Sequence, residues 1–150
     1  MITFRCRALL FDLDGTLIDS LPAVDRAWGA WATKHGFDTE WVLGQIHGRR
    51  SIDSIRDLRP DLDAEAEDAW LRGMESTDTE GVTALPGAAE FVAGLGDVRF
   101  AYVTSGTSDV ATARLRAVGY PVPEASVYGE DIQNGKPAPD LFLFAAERMG

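Results

Sequence analysis

The sequence predicts an α/β fold in which a parallel sheet with flanking helices is interrupted by an all-helical segment. Two apolar runs, over residues 7–12 and 99–103, each end in polar residues and are followed by a helical pattern. Between them, from about Asp19 to Ala84, apolar residues recur with helical spacing and no convincing strand is found. Strands that alternate with helices form parallel sheets, whose ligands bind beyond the carboxyl ends of the strands.

These patterns divide the chain into two units. Residues 1–18 and 85–150 are expected to form the sheet core, with a short third strand at residues 126–128, and residues 19–84 a helical unit. Helices are predicted at residues 39–46 and 51–58. Asp63 is expected to cap a further helix, whose buried stripe would be Ala66, Trp70 and Met74.

The composition is that of an ordinary globular protein, and the charge excludes some partners. Hydrophobic residues make up 45% of the 150 residues, and 24 acidic against 14 basic residues give a formal net charge of -10. Such an acidic chain argues against nucleic acid or an anionic membrane as a partner. Cys6, the single cysteine, is expected to be a buried apolar residue. We expect a cytoplasmic protein.

The sequence is organised around a stretch in which the first apolar run ends in two carboxylates. Asp12 and Asp14 follow this run with one residue between them, and Gly15 begins a turn. This pattern predicts a buried strand that delivers both acids to its carboxyl end. Two neighbouring carboxylates are costly there unless a cation or a proton balances their charge. We therefore expect a metal-assisted site with Asp12 and Asp14 at its centre.

Within the helical unit, the segment His47-Gly48-Arg49-Arg50 stands between two short helices. Its arginines can present guanidinium groups to a phosphate or a hydroxyl group of a substrate. The alternative is a pair of solvated surface arginines. We expect Arg50 to face the site, with Arg49 and His47 beside it.

Three segments together resemble the signature motifs of the haloacid dehalogenase superfamily of phosphotransferases. Asp12-Leu13-Asp14-Gly15-Thr16 is similar to its first motif, Val103-Thr104-Ser105-Gly106 to its second and Gly135-Lys136-Pro137 to its third. The helical unit is similar to the small cap that one subgroup inserts after the first motif. The resemblance implies a Rossmann-like parallel sheet core, truncated after its third strand, with an inserted all-helical cap.

The resemblance also implies a role for each of these residues. Asp12 would be the nucleophile that forms an aspartyl-phosphate, and Asp14 the general acid and base. Thr104 and the backbone of Ser105 and Gly106 would hold the phosphoryl oxygens, and Lys136 would neutralise their charge. A Mg²⁺ ion would be bound by the side chain of Asp12, the backbone carbonyl of Asp14 and a later acid.

In this family a fourth strand follows, and the acidic pair at its end supplies the remaining Mg²⁺ ligand. The present sequence ends at Gly150, before the position of that strand. We therefore expect a fragment or a truncated chain. Asp131 would be a poor substitute for the later acid, because it precedes the loop that carries Lys136.

The function implied by the resemblance is that of a Mg²⁺-dependent phosphatase acting on a small phosphorylated metabolite. The segments 47–50 and 52–55 resemble those of sugar-phosphate and glycerol-phosphate phosphatases, so a sugar or polyol phosphate is the expected substrate. Two alternatives stay open. One is a hexose-phosphate mutase of the same subgroup, which protects the aspartyl-phosphate from water. The other is a catalytically inactive fragment that lacks the fourth motif.

Overall fold

The structure is a computed structural model that describes residues 5–150. Four consecutive helices stand between the first two strands and the remaining elements. In chain order the elements are β1 (Leu9–Phe11), β2 (Ile18–Asp19), α1 (Leu21–His35), α2 (Thr39–Ile46), α3 (Ser51–Leu58), α4 (Ala64–Thr77), β3 (Thr83–Ala84), α5 (Ala88–Ala93), β4 (Phe100–Tyr102), α6 (Ser108–Ala117), a short 3-10 helix (Gly129–Asp131) and α7 (Asp140–Met149).

The sheet is built on the parallel pairing of β1 with β4, in which Leu10 lies opposite Ala101. Alternate residues of a strand face opposite sides of a sheet. Phe11 and Tyr102 accordingly pack into the same hydrophobic cluster as residues of α5 and α6. Leu10 packs on the other side, into a cluster with residues of α7. Helices therefore cover both faces, which explains why both strands are apolar throughout rather than alternating.

The strand predicted at residues 126–128 is reduced to a single bridge between Val103 and Val127. The N–H of Val127 donates to the carbonyl of Tyr102 at 2.8 Å. One residue earlier, the Ser126 hydroxyl accepts the N–H of Tyr102 at 3.2 Å, so a side chain rather than the backbone makes this contact. Of the short strand predicted at residues 126–128, only the parallel bridge at Val127 is formed, next to the end of β4.

The segment between β2 and β3, which we call the insert (residues 21–77), has a hydrophobic core of its own. Its centre is Trp31, which is fully buried among residues of α1, α2, α3 and α4. The antiparallel pair β2–β3, with Ile18 opposite Ala84, brings the two ends of the insert together. Because α2 and α3 have the predicted bounds, the helical patterns of this segment were sufficient to place them.

The predicted buried stripe of α4 is wrong. Trp70 is 37% exposed, and its ring lies under the Lys34 ammonium group, 4.7 Å from the ring centroid. The face that α4 buries carries Ala64, Leu71 and Glu75 instead. The reason is that α4 packs against α1 and α3 within the insert and against α6 of the sheet core.

Two further expectations concern the surface. Cys6 is a free, exposed cysteine, so the prediction of a buried apolar residue at this position is wrong. Within residues 5–150, no helix combines the length and the apolar character needed to cross a membrane.

One carboxylate, Glu67 on α4, ties α4 to α1 through three different donors. Its Oε2 accepts from Trp31 Nε1 at 3.0 Å and lies 2.9 Å from His35 Nε2, and its Oε1 accepts from Lys34 Nζ at 2.9 Å. Burial opposes the ionised form, but the hydrogen bonds from His35 and Lys34 outweigh it and lower the pKa of Glu67. The carboxylate is therefore part of the packing of the insert.

We predict that Glu67→Gln lowers the free energy of unfolding by about 1–2 kcal/mol at pH 7, because charge-assisted hydrogen bonds are lost. A carboxyl group with a lowered folded-state pKa stabilises the fold above its unfolded pKa, and this contribution is lost as pH falls through the folded value. The difference between wild type and variant should therefore shrink below about pH 4.3. Urea unfolding of both proteins at several pH values measures this difference in the free energy of unfolding.

Glu65→Gln is the matched control, since Glu65 lies on the same helix and pairs with Arg56 at the surface. An exposed pair of this kind contributes little. Two results would contradict the role of Glu67 in joining α4 to α1. One is an equal loss of stability in the two variants. The other is a stability difference between wild type and Glu67→Gln that does not change with pH.

Candidate active site

A pocket of about 380 Å³ lies where the carboxyl ends of β1 and β4 meet the insert. Most of the residues predicted for the site line it, and they come from four separate segments of the chain. These are Asp12, Asp14, His47, Arg49, Thr104, Ser105, Gly106 and Lys136. The fold therefore brings together motifs that are more than 120 residues apart.

Asp12 is paired with the predicted lysine. Lys136 Nζ donates to Asp12 Oδ1 at 2.6 Å, and the N–H of Leu13 donates to the same oxygen at 2.9 Å. No residue within 5–150 donates a hydrogen bond to Oδ2 of Asp12. The side chain is 38% exposed, so one carboxylate oxygen is held by the protein and the other is free to meet a ligand.

Asp14 is held at both of its carboxylate oxygens. Thr104 Oγ1 donates to Asp14 Oδ2 at 3.3 Å, and Arg114 Nη1 donates to Asp14 Oδ1 at 2.9 Å. Asp14 precedes Gly15, which has a φ of 77° and begins the turn into β2. The two acids thus have different partners, because a lysine holds Asp12 whereas an arginine and a hydroxyl group hold Asp14.

Arg114 and Glu75 are members of the site that sequence reasoning missed. Arg114 is only 4% exposed, and its Nη2 donates to Glu75 Oε1 at 2.9 Å. Burial raises the pKa of Glu75 despite the attraction of Arg114. The sequence held one signal for Arg114, since it lies three positions after Ala111, a spacing that places two residues on the same face of a helix.

The loop after β4 presents backbone groups to the pocket. Thr104 Oγ1 accepts the N–H of Gly106 at 3.1 Å, which curls the loop around the threonine. The N–H of Ser105 has no acceptor among residues 5–150, and it is available to an anion. The first N–H of α6 differs, because that of Ser108 donates to Glu130 Oε1 at 2.8 Å. This N–H is therefore not available to an anion in the pocket.

The expectation that Arg50 faces the pocket is wrong. Its guanidinium group donates to Asp53 at 2.6 and 2.9 Å, to the carbonyl of Ile132 at 2.9 Å and to that of Gln133 at 2.8 Å. A β-carbon at Gly135 would lie 2.9 Å from both Arg50 Nε and Asp53 Oδ2, so a larger residue there would displace this ion pair. The bonds to Asp53 hold the guanidinium group within the insert, and the bonds to the two carbonyls attach the insert to the loop that precedes Lys136.

The two neighbours of Arg50 do line the pocket. Arg49 lies at its edge, with Nη2 bonded to Asp57 at 2.5 Å, and His47 is exposed there. The Ser105 hydroxyl donates to the carbonyl of Gly48 at 3.0 Å, which joins this segment to the loop after β4. The segment 47–50 thus has two functions, since one arginine binds the sheet core and the other borders the pocket.

Comparison with known proteins identifies this arrangement. The sequence model of the haloacid dehalogenase-like hydrolases matches residues 6–150.

The chain belongs to the haloacid dehalogenase-like hydrolase family.

Similar proteins support the same assignment. Hexitol phosphatase A of Escherichia coli (strain K12) is 47% identical, over 97% of this chain and 70% of the relative. Glycerol-1-phosphate phosphohydrolase 2 of Saccharomyces cerevisiae is 31% identical, over 99% of this chain and 62% of the relative. A solved structure, a hydrolase from Pseudomonas syringae, has a TM-score of 0.75 at 28% identity, over 95% of this chain and 69% of that chain.

These findings confirm the family and the α/β fold class that the sequence predicted, and they confirm a hydrolase at the level of the family. The chain spans between 62% and 70% of the length of the two relatives.

The residues present fit part of the Mg²⁺ site that the family implies. Asp12 Oδ2 and the backbone carbonyl of Asp14 accept no hydrogen bond from residues 5–150, and both are the hard oxygen donors that Mg²⁺ prefers. Within that range no cluster of three or more His, Cys, Asp or Glu side chains suited to a metal is found. Mg²⁺ is often held by one or two carboxylates together with phosphate oxygens and water, so a two-donor protein site is compatible with it.

We predict that Arg50→Lys lowers the free energy of unfolding by about 1–3 kcal/mol, because a lysine cannot replace the bidentate pairing with Asp53 and the bonds to two carbonyls. Amide hydrogen exchange should rise in residues 129–136, where these bonds are lost. Urea unfolding and exchange mass spectrometry measure the two effects.

Arg49→Lys is the matched control, since Arg49 makes one partly exposed ion pair and should leave both quantities nearly unchanged. If the two variants lost equal stability, or if exchange at residues 129–136 stayed at the wild-type level in Arg50→Lys, the fastening role of Arg50 would be refuted.

Proposed function

We propose that this chain carries the catalytic residues of a phosphatase that hydrolyses sugar or polyol phosphates through an aspartyl-phosphate on Asp12, with Mg²⁺ as cofactor. The observation that carries the proposal is the ion pair between Asp12 and Lys136 at the pocket, 2.6 Å long and formed between segments 124 positions apart. The names of the two relatives support the substrate class, because both are phosphatases of polyol phosphates.

The environment of Asp12 suits a nucleophile. Its Oδ1 is fixed by Lys136 and by the N–H of Leu13, so the carboxylate cannot rotate freely. Its Oδ2 would then be the oxygen that attacks phosphorus, since Asp12 lines the pocket. A carboxylate attacking a phosphate dianion must overcome repulsion between two anions, and the ammonium group of Lys136 reduces this repulsion. When bound, Mg²⁺ would supply further neutralisation of the phosphoryl oxygens.

The environment of Asp14 suits proton transfer. Asp14 lies two positions after Asp12 and lines the same pocket, so its carboxyl group can reach the oxygen on the far side of a phosphorus attacked by Asp12. It would protonate the departing alkoxide in the first half of the reaction. In the second half the resulting carboxylate would take a proton from the water that hydrolyses the aspartyl-phosphate.

The insert would then determine which phosphate esters react. It contributes Trp28, His47, Arg49, Ser51 and Arg72 to the pocket lining, together with Glu75. These side chains combine an apolar wall with hydrogen-bonding groups, as is expected of a site for a small polyhydroxylated molecule. We propose that the insert supplies the helices of the cap predicted over residues 19–84, and that this cap closes over the substrate and excludes water from the reaction.

We predict that the chain releases phosphate from one or more of sorbitol 6-phosphate, glycerol 1-phosphate and fructose 1-phosphate, and that chelation of Mg²⁺ abolishes the release. Asp12→Asn removes the nucleophile and should lower kcat by about 10³-fold or more, as the loss of a nucleophile does in other enzymes. Free phosphate is measured by a colorimetric assay.

Asp25→Asn is the matched control, since Asp25 is an exposed acid on α1 outside the pocket. It should leave the activity unchanged. Release that survives in Asp12→Asn, or that persists in full with a chelator, would contradict the mechanism. A phosphosugar isomer without free phosphate would show a mutase instead, and no product of either kind from a folded, monodisperse chain would contradict the enzymatic function of this polypeptide.

A further inference from the structure

We infer that Arg114 is a positioning residue for Asp14, and that Glu75 on the insert holds Arg114 in place. The inference rests on the function proposed above and deepens it, because it adds to the reaction a pair of residues that none of the three signature motifs contains. Asp14, Arg114 and Glu75 form a continuous chain of charge-assisted hydrogen bonds from the sheet core to the insert.

The burial of Arg114 is the first observation. Arg114 is 4% exposed, and a buried guanidinium group requires carboxylate partners, since a buried charge without them is strongly destabilising. Arg114 has two such partners, one on each terminal nitrogen, at 2.9 Å in both cases. Its Nε is buried without a partner, so its position depends on these two bonds.

The origin of the two carboxylates is the second observation. Asp14 belongs to the motif that follows β1, whereas Glu75 lies near the end of α4 in the insert. Arg114 itself is on α6, which packs directly against α4. The position of Asp14 is therefore connected to the position of the insert through a single side chain.

The geometry at Asp14 is the third observation. Arg114 takes Oδ1 and Thr104 takes Oδ2, so the plane of the carboxylate is fixed from two sides. Without Arg114, only the 3.3 Å contact with Thr104 would orient it. Proton transfer depends on the position of the donor to within a fraction of an ångström, so loss of this orientation should reduce catalysis without affecting the nucleophile.

The test compares two substrates that differ in their need for a proton. The alkoxide of sorbitol 6-phosphate must be protonated as it leaves, whereas the aryl oxide of 4-nitrophenyl phosphate leaves as an anion. In Arg114→Met, kcat/KM for sorbitol 6-phosphate should fall by about tenfold to a hundredfold, a part of the 10²–10⁴-fold that a general acid contributes. For 4-nitrophenyl phosphate it should stay within about threefold of wild type. Asp14→Asn should show the same selectivity, and the double variant no further loss.

Two further variants test whether the effect on sorbitol 6-phosphate is specific to the Asp14–Arg114–Glu75 chain. Glu75→Gln keeps the shape of the side chain and should give a smaller loss with the same selectivity for sorbitol 6-phosphate. Arg116→Met, an exposed arginine on the same helix, should change neither substrate. Equal losses for both substrates would show that Arg114 has a merely structural role. A rise in KM for sorbitol 6-phosphate at unchanged kcat would show that Arg114 binds the substrate, and either result overturns the inference.

A second measurement needs no turnover. In urea unfolding, Arg114→Met and Asp14→Asn should destabilise the chain together by less than the sum of their separate effects, because each removes the same bond. Additive effects would contradict the pairing. If the wild-type chain releases no phosphate from either substrate, the proposed function fails, while this cycle still decides whether Arg114 holds Asp14.

Discussion

The structure depends on how the charges of two neighbouring carboxylates are balanced. Asp12 and Asp14 stand at the carboxyl end of β1 with one residue between them, where two like charges disfavour each other unless cations balance them. Neither is balanced by its own segment of the chain. A lysine from the loop before α7 pairs with the first, and an arginine from α6 pairs with the second. The fold therefore brings Lys136 and Arg114, which are distant from Asp12 and Asp14 in the chain, to the same edge of a short sheet.

This local balance explains how a chain with a net charge of -10 can offer a site for an anion. Long-range electrostatic attraction works against a phosphate ester, so binding must come from contacts inside the pocket, where screening is weaker. Lys136, Arg114 and Arg49 supply positive charge there, and the free N–H of Ser105 supplies a directed hydrogen bond.

The same residues connect the insert to the sheet core. Arg50 reaches from the insert to the loop before Lys136, and Glu75 reaches Arg114, which holds Asp14. The insert thus binds Arg114 directly, through Glu75, and binds the loop that carries Lys136, through Arg50. In the proposed enzyme, placement of the cap over a substrate and placement of the catalytic groups would be one event, which is the physical purpose of such closure.

Much of this could be predicted from the sequence, for reasons that differ between fold and site. Apolar runs and helical spacing placed β1, β4, α2 and α3, because those patterns report burial directly. The motifs around Asp12, Thr104 and Lys136 predicted a common site, because the carboxyl ends of parallel strands meet at one edge. The third strand could not be predicted in its real form, since the contact of Ser126 with Tyr102 is a tertiary feature.

The roles of the arginines could not be predicted from the sequence, because they depend on tertiary contacts. Two adjacent arginines, Arg49 and Arg50, differ in role only because of what each meets in three dimensions, and Asp53 with the carbonyls of residues 132 and 133 decides the direction of Arg50. The role of Arg114 follows from Glu75, which lies 39 positions earlier in the chain. Glu75 lies outside the buried stripe that was predicted for α4, and no local pattern could pair it with Arg114.

In the proposed mechanism, Asp12 carries the phosphoryl group during the reaction. The most direct test is mass spectrometry of peptides from the Asp14→Asn variant, quenched in acid during turnover of 4-nitrophenyl phosphate, which does not require a general acid to react. Because the variant lacks the base for the second half of the reaction, the intermediate should accumulate, and the peptide containing Asp12 should gain the mass of one phosphoryl group. Release of 4-nitrophenol without a labelled Asp12, or a label on any other residue, would contradict the account.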